Sequence, residues 1–242
     1  AQVSLQAPSI DSAGNIFAYL FGDGSSLPLI SFMAGRITLA GTLRAGSNGR
    51  AGKISLQGQD GIDIQNASLY ANGDDGGEVS IISLLSSVNV TNSMIQTNGG
   101  EGRGGAISVA GLQSTILSGS TLEATGTTQG GKILFGYDAK NGTLPFSRYA
   151  SLDLGSVLNA QATANNALGG FIETSGQTIS LLASINAGRG GMWLIDPTDI
   201  LIDSTLASTI SASGSDVEIT TSSSSATVVS SGNGNIYVNS AI

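Results

Sequence analysis

The residues best suited to chemistry in this chain are acids. Asp196, Asp199 and Asp203 stand close together in DPTDILID. Clustered carboxylates of this type can hold a Ca²⁺ ion through oxygen ligands or act as the acid and base of glycoside hydrolysis. The same residues have an ordinary reading: an Asp before Pro197 opens a turn, and an Asp after a short apolar strand closes one. Asp74 and Asp75 form a second acidic pair in NGDDGG. They lack the nonapeptide repetition of a calcium-binding array, and a solvated corner accounts for them more simply. The glycine-rich stretch GGEGRGG at 99–105 has no Lys-Ser/Thr after it, which a phosphate-cradling loop needs.

Composition weighs against catalysis. The chain contains no histidine and no cysteine. The commonest general base, the commonest transition-metal ligand and every thiolate site are therefore missing. Parallel β-helical enzymes that cleave pectin pair their aspartates with a His and an Arg-x-Lys element, and this chain has neither. We read it as non-catalytic, with no cofactor. The formal net charge is −8, and the 9 basic residues are scattered singly, so nucleic acid is not an expected partner. With 40% hydrophobic and only 11% charged residues, the chain is built to fold rather than to remain disordered. No basic, apolar leader opens the sequence, and no apolar run is long enough for a membrane-spanning helix. The opening AQVSLQAPSI reads as a strand already inside a repeat, as expected for a segment of a longer protein.

Two further features could make contacts. GYDAKNGTLPFSRY at 136–149 reads as a loop insertion carrying Tyr137, Phe146, Arg148 and Tyr149. Aromatics and Arg on a loop suit a binding surface, and the same side chains could instead cover a face of the fold. Trp193, the sole tryptophan, could stack on a ligand, although its neighbours Met192, Leu194 and Ile195 argue for the core. Asn66, Asn89 and Asn141 each head a glycosylation sequon. Chance in an Asn/Ser/Thr-rich chain explains them equally well.

The elements that must position these residues repeat. Gly-Gly steps start at 76, 104, 130, 169 and 190, at spacings of 28, 26, 39 and 21 residues, and each leads into a short strand of alternating apolar residues. Period-two alternation over four or five residues marks half-buried strands. Repetition at 20–30 residues marks units that stack on one another. The predicted fold is all-β: a right-handed parallel β-helix with coils of about 20–28 residues and one loop insertion. Roughly ten coils at about 4.8 Å each would give a rod on the order of 50 Å long. Residues 1–35 read as irregular first coils or an edge, 36–203 as the regular β-helix with its insertion at 136–149, and 204–242 as Ser/Thr-rich continuing β coils. Within the last part, Val228-Val229 and Ile236–Val238 read as strands and Gly232–Asn235 as a tight turn.

GGFIETSG at 169–176, GRGGMWLIDPTDILID at 188–203 and GNGNIYVNSAI at 232–242 stand in an order that resembles the filamentous haemagglutinin family, especially its high-molecular-weight adhesins and related large exoproteins. In that family GGF[VI]ETSG, W-L-[LI]-D-P-x-D-[IV] and G-[DN]-G-[DN]-I-x-V-N recur in this order. Here the matching motif residues include Gly169, Gly170, Trp193, Asp196, Pro197 and Asp199, which we read as structural. The resemblance implies export by two-partner secretion, with an outer-membrane transporter as partner, to the surface or surroundings of a Gram-negative bacterium. It also implies a β-helical rod for adhesion, aggregation or biofilm, with a host or bacterial surface ligand. An alternative is a filament subunit that joins head-to-tail to itself through open β-helix ends. No segment reads as the N-terminal secretion domain that such a transporter recognises.

Overall fold

A computed structural model describes residues 1–19, 27–47, 49–221 and 234–241. The strand read at Val228-Val229 and the Gly232-Asn233 part of the last turn lie outside the described residues. The rest forms a parallel β-solenoid of about eight turns. Each turn contributes up to three strands, and each strand pairs in parallel with its equivalent in the next turn.

The first face is the longest. It runs from Gln2–Ser12 through the starts of Leu29–Ser47 and Lys53–Tyr70 to Glu78–Ser83, Ala106–Gly111, Lys132–Phe135, Phe171–Gly176, Met192–Pro197 and Asp216–Ile219. The second face passes from the middle of the two long strands to Val88–Thr91, Ser114–Ser118, Tyr149–Leu152 and Thr178–Leu181. The third runs from Asn15–Ala18 to Met94–Gln96, Thr121–Glu123, Val157–Asn159 and Ser184–Asn186. The described residues before Leu29 make one coil, with Gln2 paired to Leu29 and Ile10 to Ile37. The rod is therefore shorter than the ten coils expected, on the order of 38 Å at about 4.8 Å per turn.

Register puts like on like. Val3, Ile30, Ile54, Val79, Ile107, Ile133, Ile172, Trp193 and Val217 form one column of the first face. Leu43, Leu69, Ile95, Leu122, Leu158 and Ile185 form the column of the third face. All of these except Val3 and Val217 are buried in one continuous core. A slip of one residue in any strand would turn its apolar side outward.

The Gly-Gly corners set how closely turns can approach. At Gly76-Gly77-Glu78, three successive amides point three ways. Gly76 N–H donates to Arg103 O of the next turn (2.8 Å), Gly77 N–H to Ala71 O of its own turn (2.8 Å), and Glu78 N–H back to Gly52 O (3.0 Å). The arrangement repeats at 104–106 and at 130–132. A Cβ on Gly105 would lie 2.1 Å from Gly77 O, and one on Gly131 would lie 2.3 Å from Gly105 O. Only glycine permits that contact.

Side-chain amides tie the third face. Asn72 Nδ2 donates to Gln96 Oε1 (3.1 Å), and Gln96 Nε2 donates to Glu123 Oε2 (2.7 Å). Asn72 Oδ1 accepts from Asn98 N–H, and Asn98 Oδ1 accepts from Thr125 N–H.

The stretch after 203 is not all β. Ser204–Ser211 is an α-helix, where sequence analysis expects continuing coils. Asp203 caps it by accepting from Thr205 N–H (3.0 Å) and Leu206 N–H (2.9 Å). Leu206, Ala207 and Ile210 then bury one side of it in the core. A good N-cap and a buried face outweigh the weak helix propensity of Ser and Thr. Strands Asp216–Ile219 and Ile236–Val238 follow it.

Substituting Ala at Gly131 should destabilise the chain by several kcal/mol, since backbone rather than a pliable side chain opposes the new methyl. Ala at Gly14, where nothing lies within 4 Å, should be neutral or add about 0.5 kcal/mol. Urea denaturation of the two variants checks this.

Candidate functional site

The 39-residue interval between Gly130 and Gly169 leaves the register intact, with Lys132 opposite Phe171 and Phe135 opposite Thr174. Much of the extra chain leaves after Phe135 and returns at Tyr149. It lies over the outer side of the first face, where Leu144 joins Ala110 and Leu134 in a second apolar cluster that also takes in Ile82 and Phe171. Tyr137 and Phe146 are buried, with ring centroids 4.7 Å apart. Of the four residues proposed as a contact patch, these two hold the loop down, while Arg148 and Tyr149 remain exposed. Arg148 Nη1 donates to Gln113 Oε1 at 3.1 Å. The returning end is fixed by Ser147, whose hydroxyl donates to Gly111 O (2.8 Å) and lies 2.7 Å from Thr115 Oγ1.

Roofing this column buries acid groups that sequence reasoning missed. Leu134, Glu173 and Leu194 are register partners on the outer side of the first face. Glu173 has no solvent exposure. Its Oε1 accepts from Ala139 N–H and Ser175 Oγ, both at 2.8 Å, while Oε2 is buried without a hydrogen-bond partner. Burial pushes the Glu173 carboxyl up to about 7, and the nearby charges of Asp138 and Asp196 add to the effect against the two hydrogen bonds. Asp138 is buried too. Burial works to raise it, but hydrogen bonds from Thr143 Oγ1 (2.6 Å) and Asn141 Nδ2 (3.1 Å), with the charge of Lys132, hold it below the usual range. Lys140 Nζ sits 4.6 Å from the Phe171 ring centroid at the rim. One sign was available in the sequence: Glu173 is a lone acid within an apolar and small-residue strand, one coil after the longest insertion.

The three clustered aspartates do separate work. Asp196 is buried on the first face opposite Ser175, Asp199 Oδ1 accepts from Asn235 N–H (2.8 Å), and Asp203 caps the helix. Among the described residues no group of three or more His, Cys, Asp or Glu is placed to hold a metal ion. Asp75 Oδ1 accepts from Arg103 N–H (2.8 Å) at a corner. Trp193 is fully buried, and its indole N–H donates to Thr174 Oγ1 at 3.0 Å. Gly169 and Gly170 continue the tight corners, and Pro197 ends its strand beside Gly176. Of the sequon residues, Asn66 is exposed at φ 50°. Asn89 donates to Asp63 Oδ1 (2.8 Å), and Asn141 donates to Asp138.

No family model matches this sequence, and no curated protein matches it. Among solved structures, the fold is similar to the HMW1 secretion domain from Haemophilus influenzae, with a TM-score of 0.57 and 15% identity. The similarity covers 98% of this chain and 64% of that one, so this chain spans less than two thirds of that structure's length. At that identity the likeness is one of fold.

A carboxyl raised from 4.5 to about 7 favours the native state most when it is protonated. That contribution is complete below about pH 4.5 and declines as pH rises through 7, by on the order of 3 kcal/mol. Glu173→Gln should flatten the fall in stability between pH 5 and pH 8, as measured by thermal unfolding across that range.

Proposed function

We propose that this chain is an exported, non-catalytic β-solenoid of a two-partner-secreted exoprotein, and that the solenoid itself is the part presented to an outer-membrane transporter. The fold similarity reaches a secretion domain over 98% of the chain, and that observation carries this reading. The ordered motifs around Gly169-Gly170 and Trp193 support the same family assignment from the sequence side.

In this reading the stacked turns form a stiff body whose surface is made of short loops and outward-facing strand residues. Contacts with a host or bacterial surface, the basis of adhesion or biofilm, would be made by exposed groups such as Arg148 and Tyr149 rather than by a catalytic pocket. Buried Tyr137 and Phe146 keep the loop that carries them in place. The absence of histidine and cysteine agrees with a mechanical role.

The test is transport. The chain, placed behind a cleavable leader in a Gram-negative host, should accumulate in the medium only when a two-partner transporter is co-produced. Variants in which Gly131 or Gly170 is changed to Val should drop by an order of magnitude or more if the transporter or the outside environment reads the folded solenoid. Equal release without the transporter would sink the proposal.

A further inference from the structure

The three faces of the solenoid do not end alike. The first face continues past Met192–Pro197 to Asp216–Ile219. The third stops at Ser184–Asn186, where the 204–211 helix sits against it: Leu206 and Ile210 share the core with Ile185, and Ala187 N–H donates to Ser215 Oγ at 2.7 Å. The second face stops at Thr178–Leu181, which pairs with Tyr149–Leu152 on one side. Among the described residues no strand pairs with its other side. The strand that would come next in sequence, Ile200–Ile202, pairs instead with Ile236–Val238.

Between the open edge and that displaced pair lies a cleft of about 620 Å³. One wall is the whole of 177–182; Asp199, Asp203 and Tyr237 stand on the other. A four-residue length of strand fills a slab of roughly 13 by 4.8 by 10 Å, about 600 Å³, so the space matches one missing strand. The cleft holds two acids and no lysine or arginine. Tyr237 is 52% exposed, and Leu182 and Leu201 are 42% and 51% exposed beside it. Thr198, which also lines the cleft, keeps its Oγ1 buried without a partner. On the inner side Leu181 ends the paired column Ile64–Val90–Leu117–Leu152 and is itself buried in the core.

We propose that this cleft is a strand-acceptor site, which takes an extended segment of a partner protein bearing alternating apolar and Lys/Arg residues. Main-chain hydrogen bonds to the free edge of Thr178–Leu181 supply affinity, as in other cases of strand addition. Apolar side chains of the incoming strand pack on half-buried Ile179 and on the exposed Leu182 and Leu201. Its basic side chains meet Asp199 and Asp203, and a cation can rest on the Tyr237 ring. The net charge of −8 favours the approach of a basic segment over an acidic one. One end of the site adjoins the returning end of the 136–149 loop, where Gln177 N–H donates to Ser147 O (2.8 Å) and Thr178 N–H to Arg148 O (3.1 Å); the proposal does not depend on how the chain is exported.

The experiment is amide hydrogen exchange on the intact chain with three synthetic peptides at millimolar concentration. One alternates Val and Lys, one has Glu in place of Lys, and one is the first with Pro at the inward positions. The expected result is slowed exchange within Ile179–Leu182 for the Val/Lys peptide alone, weakened severalfold by added salt. Thr178→Lys, an exposed change that circular dichroism should find folded, should reduce that protection severalfold. No protection at Ile179–Leu182 with the Val/Lys peptide would overturn the proposal, as would equal protection by the proline peptide. Protection that appears on concentrating the chain without peptide would mean that a second copy fills the gap, and would overturn the assignment to a basic partner.

Discussion

The close approach of backbone to backbone at the Gly-Gly corners is the constraint on which the rest of the fold depends. In most chains a residue's amide serves one neighbour in a ladder. Here three consecutive amides serve the next turn, the same turn and the previous turn. That division closes each coil and fixes its height against both neighbours at once. It works only if the carbonyl of the glycine one turn below sits where a Cβ would otherwise be. Once the corners are set, strand register follows, and with it the stacking of Ile on Ile and Leu on Leu.

The side chains exploit that register in different ways on different faces. The first face carries its apolar column inward, and after Phe135 it carries a roofed second layer outward. The third face replaces part of its outer surface with a chain of amides running from Asn72 through Gln96 and Asn98 to Glu123. Trp193 shows how one oversized residue is accommodated: Thr174 stands where the rest of its column has Phe135 or Ile195, and its hydroxyl takes the indole N–H. A buried polar group is tolerated when its partner is built in. Glu173 is one exception among the described residues, since only one of its two carboxylate oxygens is served.

Much of the fold was legible in the sequence because its signals are local and repeated. Gly76-Gly77, Gly104-Gly105 and Gly130-Gly131, each followed by alternating apolar residues, announce the corner and the first strand together. The helix at 204–211 was harder. Its Ser and Thr residues read as β, and only the four-residue spacing of Leu206 and Ile210 behind Asp203 favours a helix. The acid cluster was hidden for another reason. Near Glu173 in sequence the one sign of burial is its place as a lone acid among apolar and small residues; the residues that bury it come from the preceding coil and fold over it. The same distance effect separates Tyr137 and Phe146 from Arg148 and Tyr149, which lie within one short loop but differ in exposure.

Every strand pairing along the three faces joins residues roughly one turn apart, 21 to 39 positions along the chain at the first face. No stretch waits for a distant partner before it can settle. A completed turn offers a full row of acceptors and a finished apolar floor to the residues that follow it. Such a chain can be laid down one storey at a time as it emerges end-first from a narrow passage, with each storey held by the one beneath. The length of the finished rod then depends on the number of corners rather than on the number of residues. A coil such as the one holding 136–149 can take on extra chain at its flank while adding nothing to the height.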